Sequence, residues 1–187
     1  MRVSGMSVGA KKAVFGLVLG TIGIGVVVPL AFWFVALALD RSFGLKPILG
    51  EPTSQILCAA CVLIGAFWIS WAYSYLLFVG KGLPVELFGR ALHPTSVLVT
   101  TGPYAYTRNP MILGVLFVLL GVALLEGSIS GLVLVPIFAL ATFLYLAEFE
   151  EKGLVERFGR DYEQYRGEVP RLFPRFSAYM HEPAPEP

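Results

Sequence analysis

Four apolar stretches of this chain carry no Lys, Arg, Asp or Glu: Ala13–Leu39, Pro52–Gly80, Asn109–Leu125 and Gly127–Ala147. No other feature narrows the fold so far. A helix that crosses the hydrocarbon core of a bilayer needs about 20 mostly apolar residues. The first two stretches exceed that length and the fourth meets it. The third falls short, so it is expected to tilt or to begin inside protein. Backbone groups in lipid must satisfy one another, which leaves helices or a closed barrel. Strict polar–apolar alternation, the mark of barrel strands, is missing, so helices are expected. With 56% hydrophobic and 14% charged residues, against about 25% charged in a soluble domain, the chain reads as an all-α polytopic membrane helix bundle. About four transmembrane helices are expected, the last two as a C-terminal hairpin around Glu126-Gly127-Ser128, followed by a cytosolic amphipathic helix.

With the amino terminus in the cytoplasm, twelve of the fourteen Lys and Arg lie inside and Arg41 and Lys46 outside. That is the bias of the positive-inside rule. No basic patch of the size nucleic acid needs is present, and the cations after residue 150 alternate with acids, as on a solvated helix face. The apolar run after MRVSGMSVGAKK is too long for a signal peptide and has no small-residue cleavage site, so a retained first helix is expected. Within it, Gly16 and Gly20 have the spacing that lets helices approach closely, and Pro29 is expected to kink it. Cys58 and Cys61 form a CxxC inside the second apolar stretch, while His93 and His181 sit in polar segments. No metal site is expected from these, and the thiols are expected to pack as small hydrophobes. Trp68, Trp71, Tyr73 and Tyr75 gather near the inner half of the second helix, where aromatics form an interfacial belt.

Two polar segments carry the chemistry. The first, Thr101–Pro110, reads TGPYAYTRNP. Gly102 lets a ligand approach the backbone. Tyr104 and Tyr106 offer flat faces and hydroxyls, and Arg108 offers a fork of donors matched to a carboxylate. Pro110 suits the first turn of the helix that follows. The alternative is a border loop that rests its arginine and tyrosines among headgroups. The second segment begins at Glu150-Glu151, where the hairpin leaves the membrane. Two acids there are disfavoured by the negative surface potential of the inner leaflet, so they either pair with Arg108 or Arg171, meet a cationic ligand, act as a base, or belong to a solvated face. Leu154, Phe158 and Tyr162 then recur at helical spacing and give one apolar face, Gly159 weakens that helix, and Val169-Pro170 ends it.

From about Leu98 to Pro174 the chain resembles the isoprenylcysteine carboxyl methyltransferase and phospholipid methyltransferase family of integral membrane enzymes. The resemblance lies in Gly102-Pro103-Tyr104, Arg108-Asn109-Pro110, a helical hairpin, and then Glu150, Glu151, Leu154, Phe158, Gly159, Tyr162, Tyr165, Val169, Pro170, Arg171 and Pro174 in order. It implies S-adenosylmethionine as cofactor. Gly102, Tyr104, Tyr106, Arg108, Asn109 and Glu151 would bind it, and Glu150 and Arg171 would take the catalytic positions, Glu150 nearest the transferring methyl. The implied partner is a lipophilic or small apolar methyl acceptor, an isoprenylcysteine carboxylate, a phospholipid amine or a thiol, reached from the membrane lipids. Bacterial members imply a place in the cell membrane with both termini cytoplasmic. Asn109 stands where the prenylcysteine enzymes carry His, Ile112 where the motif has Tyr, and Leu146 where the eukaryotic carboxyl methyltransferases have Arg. The last difference weakens a prenylcysteine assignment. An NADPH-dependent sterol-type reductase shares the carboxy-terminal architecture and is the competing enzyme reading; a non-catalytic lipid-binding protein is the third. Residues 1–97 are expected to form the N-terminal helices and connector, 98–176 the methyltransferase core, and 177–187 a disordered tail.

Overall fold

The computed structural model of the chain describes residues 23–80, 86–87, 90–91 and 95–180. Gly16, Gly20, His93, His181 and the start of the first helix lie outside the described residues. Five helices make up the described bundle. A π-helical turn, Gly23–Val27, leads into α1, Val28–Phe43. Pro29 therefore sits in the first α-helical turn, where a missing N–H is tolerated, and the expected kink takes the form of this change in helical pitch. Helix α1 runs past Asp40 to Phe43, further than the apolar stretch suggests. It stops at Gly44, whose φ of 64° is the left-handed conformation that glycine adopts freely.

Helix α2 spans Thr53–Phe78, α3 Pro110–Leu125 and α4 Ile129–Tyr145. A second π-helical turn, Leu146–Glu150, carries α4 into α5, Glu151–Glu168. In the connector, Glu86–Leu87 and Arg90–Ala91 pair as a two-residue antiparallel ribbon. Among the described residues, three helical stretches are long and apolar enough to cross a membrane: Gly25–Phe43, Thr53–Phe78 and the continuous Ile129–Glu168. Helix α3 is shorter. Its 16 residues at 1.5 Å each rise about 24 Å, under the roughly 30 Å hydrocarbon thickness.

That short helix is the centre of the bundle. Helices α1, α2 and α4 all pack against it, and Leu113, Val115, Leu116, Leu119 and Ala123 are buried along it. Glycines set the closest approach. A Cβ on Gly65 of α2 would lie 2.6 Å from the Gly114 carbonyl oxygen, and one on Gly114 would lie 2.7 Å from that of Gly65. The two backbones are in contact there, the arrangement that membrane helices use where small residues meet. One turn pair further along, Gly121 rests on the Cys58 carbonyl and the Cys61 Cβ. The two thiols are free, half-buried packing groups of this seam.

The turn of the α3–α4 hairpin is tied to α1. Ser128 caps α4 by accepting from the Gly131 amide at 2.8 Å, and its hydroxyl donates to the Asp40 carboxylate. Asp40 also accepts from the Ser130 amide at 3.0 Å, and Trp33 donates to Glu126 at 3.0 Å. Every acid at this end of the bundle that faces protein therefore has a donor, which is the condition for keeping polar groups near hydrocarbon.

At the opposite end, α5 is two helical halves meeting at Gly159, whose φ of 55° and ψ of −127° are not helical. The break re-aims the second half so that Tyr162 and Tyr165 turn inward. They form a compact core with Ala105, Val169 and Tyr179, and Leu154 and Phe158 from the first half cover it. Order reaches past Ser177, where a disordered tail was expected: Tyr179 is buried and donates its amide to the Ala105 carbonyl at 2.9 Å.

Candidate functional site

The Thr101–Pro110 segment folds as a short 3₁₀ turn, Gly102–Ala105, followed by an irregular step into α3. Gly102 has φ of 60°, and a Cβ there would overlap the Tyr75 ring. Its glycine is needed for that packing and that backbone conformation. Tyr106 stacks at a tilt on Trp71, ring centroids 6.1 Å apart. The inner aromatics of α2 thus support the loop.

A strap, residues 169–180, holds the same loop from the other side. The Arg108 amide donates to the Pro170 carbonyl at 2.9 Å. The Thr107 hydroxyl lies 3.2 Å from the Arg171 carbonyl oxygen and 3.0 Å from that of Leu172, and Asn109 Nδ2 donates to the Arg171 carbonyl at 3.0 Å. The Arg175 amide donates to the Tyr106 carbonyl at 2.9 Å. Thr107 is fully buried. Sequence reading passed over it because a threonine between Tyr106 and Arg108 carries no signal of its own; only its carbonyl partners, some 65 positions away, reveal the lock.

One carboxylate joins the two polar segments. Glu151, 7% exposed, meets Arg108 Nη1 at 2.6 Å. It also accepts a fork from Arg171, Nε at 2.6 Å and Nη2 at 2.8 Å. This two-point geometry is the strongest form of a charge-assisted bond. The paired carboxylate, foremost through its hydrogen bonds, pushes the Arg171 pKa above the ordinary guanidinium value. The Arg171 guanidinium lies 4.3 Å over the Phe143 ring of α4. Arg108 Nη1 also reaches the Tyr162 hydroxyl at 3.3 Å, while its Nε is a buried N–H without a partner.

Above this knot opens a cavity of about 240 Å³. Its polar wall includes Tyr104, Arg108, Asn109, Glu150, Glu151, Arg157 and Tyr162; its apolar wall includes Leu76, Val99, Met111, Ile112, Tyr145 and Leu146. Burial pushes the Tyr162 pKa up to about 12, with the Glu151 charge adding to the shift. Burial also raises Tyr104 and Tyr165, with the Glu150 charge adding at Tyr104. All three stay neutral donors at physiological pH, and the Tyr165 hydroxyl donates to the Tyr104 carbonyl at 2.7 Å. Of the eight residues singled out from sequence, Tyr104, Arg108, Asn109, Glu150 and Glu151 face this cavity. Gly102, Tyr106 and Arg171 instead stand behind it, in contact with Tyr75, Trp71 and Glu151 respectively.

The fold and site define a helix bundle with apolar membrane-length helices and a buried, charge-paired cavity at one end. The chain belongs to the phospholipid methyltransferase family, whose model matches residues 53–161. The match reaches back to the start of α2, beyond the motif-bearing region from about Leu98 to Pro174. It is 38% identical over 78 residues to a protein-S-isoprenylcysteine O-methyltransferase of Schizosaccharomyces pombe, covering 42% of this chain and 33% of that protein. It is 31% identical over 133 residues to methanethiol S-methyltransferase 2 of Bradyrhizobium diazoefficiens, covering 64% of this chain and 48% of that protein. The chain thus matches between a third and a half of the length of these curated relatives.

Proposed function

We propose that this protein is an integral membrane methyltransferase that uses S-adenosylmethionine to methylate a lipophilic or small apolar acceptor, with residues 98–176 as its core. The observation that carries the reading is a buried cavity whose wall carries both Arg108 and Glu150, a cation and an anion. The Arg108 guanidinium is a fork of donors suited to an amino-acid carboxylate. Glu150 supplies the complementary negative charge for an ammonium or a sulfonium, and Tyr104 and Tyr162 supply neutral hydroxyls and ring faces. These donors and acceptors fit the cofactor that family membership implies.

When bound, the cofactor brings an already electrophilic methyl group. The protein's own contribution is positioning and exclusion of water. Glu151 fixes the Arg108 guanidinium, and Asn109 and Thr107 fix the loop that carries it. Leu76, Met111, Ile112 and Leu146 keep the acceptor side dry. A thiolate needs no base, whereas an ammonium acceptor must first lose a proton, and Glu150 is the carboxylate placed to take it. The acceptor is an uncharged or soft nucleophile: Leu146 stands where an arginine would orient a substrate carboxylate in the prenylcysteine enzymes. The cavity end of the bundle faces the cytoplasm, in agreement with the distribution of Lys and Arg.

The test is incubation of detergent-purified protein with methyl-labelled S-adenosylmethionine and two acceptor pools, a membrane lipid extract and a panel of alkyl thiols. Label transfer to either pool that disappears in Glu150→Ala supports the reading. Folded protein that labels nothing in either pool rejects it.

A further inference from the structure

The strap of residues 169–180 has an inner and an outer side. Val169, Leu172 and Tyr179 point inward and are 5% exposed or less. Phe173, Phe176 and Met180 point outward and are 76%, 108% and 84% exposed. The neighbouring helix α5 behaves differently. No large apolar side chain is exposed between Glu151 and Leu172 among the described residues, and its outer face is built of Lys152, Glu156, Arg160, Asp161, Glu163 and Arg166. Two adjoining segments thus present opposite surfaces, one suited to water and one not.

Three observations identify what the strap faces. First, its position: the Arg171 side chain covers Phe143, which lies at the end of the apolar helix α4 and is itself 39% exposed. The strap also bonds to Thr107 and Asn109, immediately before α3. It therefore crosses the ends of two apolar helices. Second, its charge: Arg175 is a cation outside the Glu151 knot, and no Asp or Glu occurs from Val169 to Met180, whereas α5 mixes both signs. Third, its geometry: Pro170 and Pro174 interrupt any helix, so the three bulky groups project from a chain held by its own backbone bonds to the loop. A cation beside projecting aromatic and thioether side chains suits an anionic membrane–water interface, where rings settle at headgroup depth and the cation gains from the surface potential.

We infer that residues 173–180 are a membrane seat: Phe173, Phe176 and Met180 insert into the interfacial layer of the leaflet at the cavity end of the bundle. This rests on the membrane-spanning reading of α1, α2 and α4 but not on the methylation chemistry. Because the strap's backbone holds Tyr106, Thr107, Arg108 and Asn109, its seat sets the height of the cavity relative to the lipid.

The test uses the full chain with Cys58→Ser and Cys61→Ser, reconstituted in nanodiscs of phosphatidylcholine and phosphatidylglycerol. Phe176→Cys and Met180→Cys are labelled in separate variants with an environment-sensitive fluorophore; Glu163→Cys on α5 is the water-facing control. The expected result is blue-shifted emission at 176 and 180. Quenching there by lipids spin-labelled near the headgroup should be several-fold stronger than at 163, and quenching by aqueous iodide weaker. Water-like emission with iodide quenching equal to that at 163 overturns the proposal. So does protection from iodide without quenching by spin-labelled lipid, which assigns the surface to a protein partner or a second copy of this chain.

Discussion

Replacing Glu151 with Gln tests the knot that holds the site together. The carboxylate takes three charge-assisted bonds, one from Arg108 and two from Arg171. The side chains of Glu151, Arg108 and Arg171 are 9%, 10% and 17% exposed. An amide in that place keeps the shape, loses the charge, and leaves two guanidiniums facing each other away from water. Removing one partner of such a buried pair costs about 3–5 kcal/mol. At roughly 2–4 °C per kcal/mol for a chain of this size, the unfolding midpoint falls by about 6–20 °C. The assay is intrinsic-fluorescence thermal unfolding in detergent, with Glu148→Gln alongside. Among the described residues Glu148 pairs with Lys152, and both side chains are 63% exposed, so its loss is worth less than about 1 kcal/mol. A Glu151→Gln midpoint no lower than that of Glu148→Gln would refute the reasoning, since the buried carboxylate would then hold nothing.

Arg171→Lys keeps the charge but not the fork, and a single ammonium cannot replace two parallel bonds; a loss of about 1–3 kcal/mol, smaller than for Glu151→Gln, is expected in the same unfolding assay. Thr107→Val removes the hydroxyl that ties the loop to the strap and deprives the Leu172 carbonyl of its Thr107 donor, while Asn109 still serves that of Arg171; a cost of about 1–3 kcal/mol is expected, read as faster proteolysis after Arg171 or Arg175. Gly102→Ala places a methyl in the Tyr75 ring at a positive φ; the unfolding midpoint drops, and adding Tyr75→Ala recovers part of the loss by relieving the overlap but not the backbone strain. Stability should also fall on the alkaline side. The folded pKa of Tyr162 is raised to about 12 from 10, so its contribution is full below pH 10 and is lost between pH 10 and 12, amounting to about 2–3 kcal/mol at 1.36 kcal/mol per unit. Tyr162→Phe should flatten that part of the pH–stability profile measured in detergent.

How far the sequence could be read follows from where each constraint resides. The four apolar, charge-free stretches located α1 to α4, because lipid leaves few alternatives to a backbone that must bond to itself. The hairpin turn was legible at Gly127, whose φ is 58°. What the linear sequence hides is which side chain meets which. Arg108, Glu151 and Arg171 were named as possible partners, but that one carboxylate serves both arginines depends on α5 emerging at the height of the loop. Gly102 and Tyr106 also lie against Tyr75 and Trp71 of α2, a helix that carries none of the quoted motif residues, so this support could not be read from the motif. Gly65 and Gly114 escaped notice because a pair of glycines on different helices has no spacing to recognise, whereas the Gly16–Gly20 pair stood out for having one. Gly159 was expected to weaken a helix, and it redirects one. Its positive φ turns Tyr162 and Tyr165 inward.

The most direct measurement of the central claim is a calorimetric titration of S-adenosylmethionine into the detergent-solubilised protein, repeated with Arg108→Ala and with NADPH. In Arg108→Ala the Glu151–Arg171 pair remains, and an unfolding scan confirms that the fold does too. Saturable binding to the natural chain that weakens about 10-fold or more in the variant, as loss of a charged hydrogen bond worth 1.5–3 kcal/mol requires, is the expected result, with no heat from NADPH. Equal affinity in both proteins, or saturable binding of NADPH in place of the sulfonium nucleoside, would contradict it.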